Sequence, residues 1–250
     1  MSSVFISKDD GIATVTLSRG KVNALNEPMI EQLNSYFMDL ENDETVKAII
    51  LTGQGNFFSF GFDIPEFLSY SKDSFIKCLS KFTDLYTYVF LFPKPVIALL
   101  NGHTMAGGCM LAIACDYRIM VSGKAKVSLN EIGFGSSVLA GSVEMLKYCA
   151  GQKNAQSIIY SGAMYSAEEA SQLGLVDQIS SQENLTEDAM KIARNLAKKD
   201  NAAFRSIKDL LRKPVAEEMI KKEKRVIREF VDIWYSEETW KNLEEIKIHS

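Results

Sequence analysis

The stretch from Lys94 to Asp116 constrains the fold of this chain more than any other stretch. It reads KPVIALLNGHTMAGGCMLAIACD. Residues 95–100 form a short apolar run of the kind found in buried strands, and Asn101-Gly102 ends that run. After this break the pattern becomes helical and mostly apolar, which predicts a buried helix over residues 104–115.

Two glycines, Gly107 and Gly108, fall at or just inside the start of this predicted helix. Glycine is costly within a helix, but it allows a ligand to approach the backbone closely. The first N–H groups of a helix have no internal acceptor and lie at the positive end of the helix dipole. The segment therefore suits an oxyanion site, while close strand–helix packing explains the glycines equally well.

The composition indicates a folded protein in a reducing compartment. The chain has 250 residues, 46% of them hydrophobic, which suffices for one large domain or for a domain with a small appendage. Its net charge of −4 argues against nucleic-acid and membrane partners. The four cysteines form no C-x-x-C pair and there are two histidines, so we expect free thiols and no metal site. Without a signal pattern, a soluble cytoplasmic protein is expected.

The rest of the chain alternates strands and helices before residue 130 and is mainly helical after it. Short apolar and β-branched runs predict strands, and apolar residues spaced by three or four predict helices. The predicted strands cover residues 4–7, 12–17, 46–52, 95–100, 117–121 and 126–129. The predicted helices cover residues 27–40, 65–70, 74–90, 104–115, 138–150, 153–161, 166–173, 184–198, 202–211, 215–233 and 237–246. Residues 56–63 and 130–135 are predicted to be loops.

Four segments together resemble the crotonase superfamily, or enoyl-CoA hydratase/isomerase family. They follow the family's order and spacing and are Lys21–Leu25, Phe58–Asp63, Asn101–Asp116 and Ala167–Val176. The resemblance implies an α/β fold of the ClpP/crotonase type: a spiral of ββα units over residues 1–195, then a C-terminal helical region over 196–250. It also implies an acyl-CoA substrate, a homotrimer or dimer of trimers, no metal, and no cofactor besides the coenzyme A of the substrate.

The same resemblance implies which residues form the site. The oxyanion hole would consist of two backbone N–H groups, those of Phe62 and Gly107, which favours the functional explanation of the glycine-rich segment. Largely main-chain contacts with CoA would come from Lys21, Val22, Ala24, Phe60, Asp63 and Ile64.

The acidic residues near the expected hole distinguish the reactions of the family. Its hydratases carry two glutamates, whose positions hold Met110 and Glu131 here. Its dienoyl isomerases add an aspartate where this chain has Leu139. A single carboxyl in an apolar setting resembles the 3,2-trans-enoyl-CoA isomerases of fatty acid β-oxidation. There one base moves a proton from C2 to C4 through a dienolate, and burial should raise the pKa of that base.

Several alternatives remain open at this point. The chain could be another acyl-CoA-acting crotonase, such as a weak hydratase, a hydrolase or a decarboxylase, or a non-catalytic acyl-CoA-binding member. Without the resemblance, Glu131 would be interpreted as a turn cap or an ion-pair partner. His103 is expected to be a partly exposed loop histidine, and Asp63 to hold its own loop.

The aromatic residues also leave the acyl pocket undefined, with medium to long chains as the expectation. Six phenylalanines could line or block an acyl tunnel: Phe57, Phe58, Phe60, Phe62, Phe75 and Phe82. The C-terminal segment with Trp234 and Trp240 could cover its own site or that of a neighbouring subunit.

Overall fold

The computed structural model describes residues 2–248. Its strands are β1 (Val4–Asp9), β2 (Ile12–Leu17), β3 (Ala48–Gly53), β4 (Phe57–Ser59), β5 (Val96–Leu100), β6 (His103–Met105), β7 (Tyr117–Val121), β8 (Val127–Ser128) and β9 (Gln178–Ser180). Its helices are α1 (Glu27–Asn42), α2 (Ile64–Phe67), α3 (Lys72–Leu91), α4 (Gly107–Ala114), α5 (Ala140–Ser161), α6 (Ala167–Gln172), α7 (Leu185–Ala197), α8 (Asn201–Trp234) and α9 (Glu237–Glu244), with a 3₁₀ turn at Glu131–Phe134.

Among these residues the strands form two sheets. The larger sheet has the order β1-β2-β3-β5-β7-β9 and is parallel except for the pair β1–β2. The smaller sheet has the order β4-β6-β8 and is parallel. Three successive units therefore each give one strand to the larger sheet and the next strand to the smaller sheet before a helix follows. This arrangement confirms the predicted spiral of ββα units.

The short strands are where the structure departs most from the sequence prediction. β4 lies in a predicted loop, and β6 replaces the first turn of the helix predicted over 104–115, so α4 begins only at Gly107. β9 was not predicted, and the loop predicted over 130–135 contains the 3₁₀ turn. Strands of two or three residues carry too few side chains to show alternation. Backbone pairing with neighbouring strands defines them instead.

Two predicted helix breaks fall inside single helices. The sequence predicts a gap between helices at residues 151 and 152. In α5 this position is a local break at Gly151, whose φ of +76° and ψ of 160° are non-helical. α8 runs through Pro214 without ending. A proline usually interrupts a helix, but α8 packs along α3 and α5, and this tertiary packing overrides the local preference. None of the helices described between residues 2 and 248 is long and apolar enough to cross a bilayer.

A buried ion cluster joins α8 to the C-terminal end of α4. Asp116 contacts Lys208 Nζ at 2.8 Å and the Arg212 guanidinium at 3.2 Å, and all three side chains are largely buried. Arg212 also donates to the carbonyl groups of Ala114 and Cys115, at 2.9 and 3.1 Å. These carbonyls form the negative end of the α4 dipole, where a cation is favourable. Helix α8 thereby holds the C-terminal end of α4, whose other end begins at Gly107.

Replacing Arg212 by Met should lower the free energy of unfolding by roughly 3–5 kcal/mol, because Asp116 and the helix-end carbonyls lose a buried partner. Urea denaturation measures this loss. Arg225→Met is the matched control, since Arg225 pairs with Glu229 on the exposed face of α8 and should contribute less than about 1 kcal/mol. Equal effects of the two substitutions would contradict a special role of the cluster.

Candidate active site

The smaller sheet explains how residues far apart in sequence meet in one site. Its three strands are parallel, so their C-terminal ends lie at the same edge. Phe62 follows β4, Gly107 follows β6, and Glu131 follows β8, each within three residues of the strand end. Each ββα unit thus delivers one of the three residues that the family resemblance assigns to the reaction.

An apolar cavity of about 210 Å³ lies at these residues. Residues of the segments 60–64, 105–110 and 130–134 line one part of it. Phe230 and Trp234 of α8, together with Ile246 beyond α9, line the rest. The C-terminal segment therefore contributes to the cavity of its own chain, a question that the sequence left open.

The phenylalanines divide between the cavity and the core. Phe60 and Phe62 line the cavity. Phe58, Phe75 and Phe82 are fully buried in the core instead. The ring of Phe62 packs edge-on against that of Phe82, with 4.9 Å between the centroids, so the core residues support the cavity wall.

Glu131 carries the sole ionisable side chain among the described residues that line the cavity. It is 3% exposed, and neither carboxylate oxygen accepts a hydrogen bond from another described residue. Burial raises its pKa from the ordinary 4.5 to about 8, because the charged form loses its hydration. Neither a turn cap nor an ion pair accounts for this side chain. A buried, unpaired carboxyl in a cavity is a candidate for a chemical role.

Other unpaired polar atoms cluster around the same cavity. Within residues 2–248, five buried side-chain nitrogen or oxygen atoms lack a hydrogen-bond partner. Four of them belong to residues that line the cavity: the two Glu131 oxygens, Asn130 Oδ1 and Trp234 Nε1. Folded proteins pair the great majority of buried polar atoms, so this concentration makes the cavity a candidate ligand site.

The two backbone N–H groups expected to form an oxyanion hole lie on neighbouring segments. Among the described residues, neither the Phe62 nor the Gly107 N–H donates a hydrogen bond. Gly61 allows the close approach, because its φ is +97° and a Cβ atom there would lie 3.1 Å from Gly107 N. Ala106 turns the chain into α4 with a φ of +46°, a strained value for alanine. The strain is consistent with a functional constraint at this turn.

Sequence reasoning missed the side chains that hold the segment around Gly61. The fully buried Asn23 amide donates to the carbonyl groups of Gln54 and Phe57, at 2.9 and 2.8 Å. Ser59 Oγ donates to the Asn23 carbonyl at 2.8 Å and accepts from the Gly61 N–H at 3.1 Å. Polar residues in irregular segments have no periodic signal, so their partners emerge only from the fold.

The residues expected to contact CoA lie at two neighbouring cavities. Phe60 and Ile64 line the apolar cavity. A second cavity, of about 220 Å³, is lined by Arg19, Gly20, Lys21, Val22, Ala24, Asp63, Pro65 and Ile248. Consecutive residues from 63 to 65 line the two cavities in turn, so the cavities are neighbours along this segment.

Asp63 holds its own loop. Its carboxylate accepts a hydrogen bond from the Glu66 N–H at 3.1 Å, at the start of α2, and forms an ion pair with Arg19 at 2.6 Å. Arg19 also donates to the Ala24 carbonyl at 3.0 Å. These contacts join the two chain segments that border the second cavity, and they leave Asp63 outside the lining of the apolar cavity.

The remaining candidates supply no second acid at the apolar cavity. Met110 lines it and is 1% exposed, whereas Leu139 is buried in the core at the start of α5. His103 lies in strand β6 rather than in a loop; its Nδ1 accepts from the Lys126 N–H at 3.2 Å, and burial lowers its pKa. Within residues 2–248, no group of three or more His, Cys, Asp or Glu side chains could hold a metal ion.

The chain is similar to known proteins of one family. The family model "Enoyl-CoA hydratase/isomerase" matches residues 7–245. Mitochondrial enoyl-CoA hydratase from Pongo abelii is 36% identical over 192 residues, which cover 76% of this chain and 65%, or just under two thirds, of that protein. Short-chain-enoyl-CoA hydratase from Clostridium acetobutylicum is 32% identical over 198 residues, covering 78% of this chain and 76% of that protein.

The fold matches a solved structure closely. Human mitochondrial delta3-delta2-enoyl-CoA isomerase superimposes with a TM-score of 0.92, at 24% identity, over 97% of this chain and 96% of that chain. Because the family model matches residues 7–245, the chain belongs to the enoyl-CoA hydratase/isomerase family. Both the resemblance to the crotonase superfamily and the fold class predicted from it are confirmed.

Replacing Glu131 by Gln should stabilise the fold increasingly as the pH rises from about 5 to 8. The Glu131 pKa is about 8 in the folded chain and about 4.5 in the unfolded chain. Between these values the unfolded chain ionises while the folded chain stays protonated, so the free energy of unfolding falls by about 1.4 kcal/mol per pH unit. The cost of burying the amide is independent of pH. The Tm difference between variant and wild type should therefore grow over this range in thermal melts, and a constant difference would contradict the raised pKa.

Proposed function

We propose that this protein is an isomerase that shifts the double bond of 3-enoyl-CoA to give 2-trans-enoyl-CoA, as in fatty acid β-oxidation. The observation that carries the proposal is the single, unpaired Glu131 carboxyl in an apolar cavity that also borders the Phe62 and Gly107 segments. A double-bond shift needs one base that takes a proton and returns it. Hydration needs both activation of water and delivery of a proton.

The reaction follows from these groups. The Glu131 carboxylate takes a proton from C2, and the electron pair of that bond delocalises onto the thioester oxygen to form a dienolate. The Phe62 and Gly107 N–H groups donate to this oxygen, at the positive end of α4. The Glu131 carboxylic acid then returns the proton to C4, which leaves the double bond between C2 and C3. The apolar walls keep the proton from exchanging with water.

The two cavities suit the two parts of an acyl-CoA. The apolar cavity would take the acyl chain, and the more polar second cavity would take part of the CoA. Contacts with CoA would come largely from the main chain of Lys21, Val22, Ala24, Phe60, Asp63 and Ile64. A homotrimer or dimer of trimers and a cytoplasmic location remain predictions, as does the boundary at residues 195 and 196.

Enoyl-CoA hydration is the second candidate, because the two relatives described above are named hydratases. Against it stands Met110, an apolar side chain at the cavity position where the family resemblance places the second glutamate of hydratases. A protein that only binds acyl-CoA would not require an unpaired carboxyl in the cavity, since such a group costs stability. The proposed isomerase accounts for both features.

Replacing Glu131 by Gln should reduce isomerisation of 3-cis-enoyl-CoA by about a hundred- to ten-thousandfold, because the base is lost. Direct ultraviolet absorbance follows the reaction without coupling enzymes, for short and for long acyl chains. Wild-type kcat/KM should rise about tenfold per pH unit and level off above the Glu131 pKa of about 8. Hydration of 2-trans-enoyl-CoA, measured in parallel, should be negligible. Hydration faster than isomerisation, or activity that is indifferent to Glu131, would refute the proposal.

Replacing Gly61 by Ala should lower kcat roughly a hundred- to a thousandfold, because the new Cβ pushes Phe62 and Gly107 apart and weakens the oxyanion hole. Gly123→Ala is a matched control: Gly123 has a similar φ of +99°, and a Cβ there meets no atom within 4 Å. Both variants place alanine at a positive φ, so Gly123→Ala controls for this backbone strain. Gly61→Ala should lose more stability in thermal melts, because its Cβ also lies 3.0 Å from Ala106 Cβ and from the Met105 carbonyl oxygen. If both keep full kcat, the assigned hole is wrong.

A further inference from the structure

We infer that Thr239 is a positioning residue for Glu131, assisted by Asn242. This inference rests on the proposed role of Glu131 as the base. No other described residue donates a hydrogen bond to the Glu131 carboxylate. Its direction is therefore set by packing and by the backbone of the 3₁₀ turn at its base. Whatever holds that turn also places the base relative to the substrate.

The N-terminal side of this turn is held by the smaller sheet. The Ser128 carbonyl at the end of β8 accepts a hydrogen bond from the Ala106 N–H at 2.9 Å. Ala106 is the residue directly before Gly107. A backbone hydrogen bond thus ties the segment of the base to that of the oxyanion hole on this side.

The C-terminal side of the turn is held by side chains of α9. Thr239 Oγ1 donates to the Gly135 carbonyl at 2.8 Å, and Asn242 Nδ2 donates to the Phe134 carbonyl at 3.4 Å. Thr239 is 3% exposed. Gly135 ends the turn with a φ of +82°, and a Cβ atom there would lie 3.2 Å from Thr239 Oγ1. The hydroxyl therefore contacts the turn at the point where it ends.

α9 has its own attachment to the rest of the protein. Leu243 is fully buried in the core. The rings of Tyr235 and Trp240 pack with 5.1 Å between centroids, and the Tyr235 hydroxyl donates to the Tyr70 carbonyl at 2.5 Å. The helix can therefore stay in place when the Thr239 hydroxyl is removed, while the turn loses its nearer anchor.

The next anchor along the chain also comes from the C-terminal helices. Glu223 of α8 accepts hydrogen bonds from the Ala140 and Gly141 N–H groups at 3.2 and 2.9 Å, where α5 begins. The carboxylate is kept in place by the Tyr86 hydroxyl, which donates to it at 2.7 Å. The residues between Gly135 and Ala140 thus connect a point held by α9 to a point held by α8. Thr239 holds the point nearer to Glu131.

Thr239→Val removes the hydroxyl and keeps the shape of the side chain. We expect kcat for isomerisation to fall about ten- to a hundredfold with KM changed less than about twofold, because a base displaced by a fraction of an ångström reacts poorly. Thr239→Ser keeps the hydroxyl and should restore most of kcat. Asn242→Ala should lower kcat less. Ser166→Ala, which loses the cap of α6 away from the cavity, controls for a general loss of stability and should keep kcat.

Amide hydrogen exchange supplies a readout that does not depend on activity. The N–H groups of Gly133 and Gly135, which close the turn on the Asn130 and Ile132 carbonyls, should exchange faster in Thr239→Val than in wild type or Ser166→Ala.

Three outcomes would overturn the inference: wild-type kcat in Thr239→Val, a loss confined to KM, or exchange unchanged from wild type. Activity in Glu131→Gln, measured in the same assay, would instead refute the proposed base itself, so the two failures are distinguishable.

Discussion

The removal of the Glu131 carboxyl from water is the constraint on which the site depends. The apolar cavity surrounds it, and no other described residue donates a hydrogen bond to its oxygens, so burial raises its pKa to about 8. A group of this kind works against folding near neutral pH. The hydrophobic core and the buried contacts of the C-terminal helices stabilise the fold despite it. The same desolvation makes the carboxylate a stronger base.

The smaller sheet turns this local feature into a site. Because β4, β6 and β8 are parallel neighbours, the residues that follow them come together at one edge. Phe62 and Gly107 bring N–H groups that donate to no other described residue, and Glu131 brings the carboxyl. Gly61 and the strained Ala106 let the first two segments approach closely. Within residues 2–248, the strands of the larger sheet bring no residue to the apolar cavity.

The C-terminal helices fix the geometry that the spiral creates. Arg212 holds the carbonyl end of α4, whose other end begins at Gly107. Thr239 contacts the turn that carries Glu131, and Trp234 closes the cavity beside it. Helix α8 thus supports the helix of the proposed oxyanion hole, and α9 supports the turn of the proposed base. They do so through buried polar groups, which require defined partners and therefore a defined geometry.

The sequence by itself determined the buried strand at Val96–Leu100, the apolar helix after it, the glycines at its start, and the single glutamate among apolar neighbours. These features depend on local composition, and the family resemblance connected them. Tertiary structure alone decided the rest: strands β4 and β6, the passage of α8 through Pro214, the contribution of the C-terminal segment to the cavity of its own chain, and the partners of Asn23 and Thr239. These features depend on contacts between residues far apart in sequence. No local pattern encodes them, because pairing across a sheet and packing between helices override local preference.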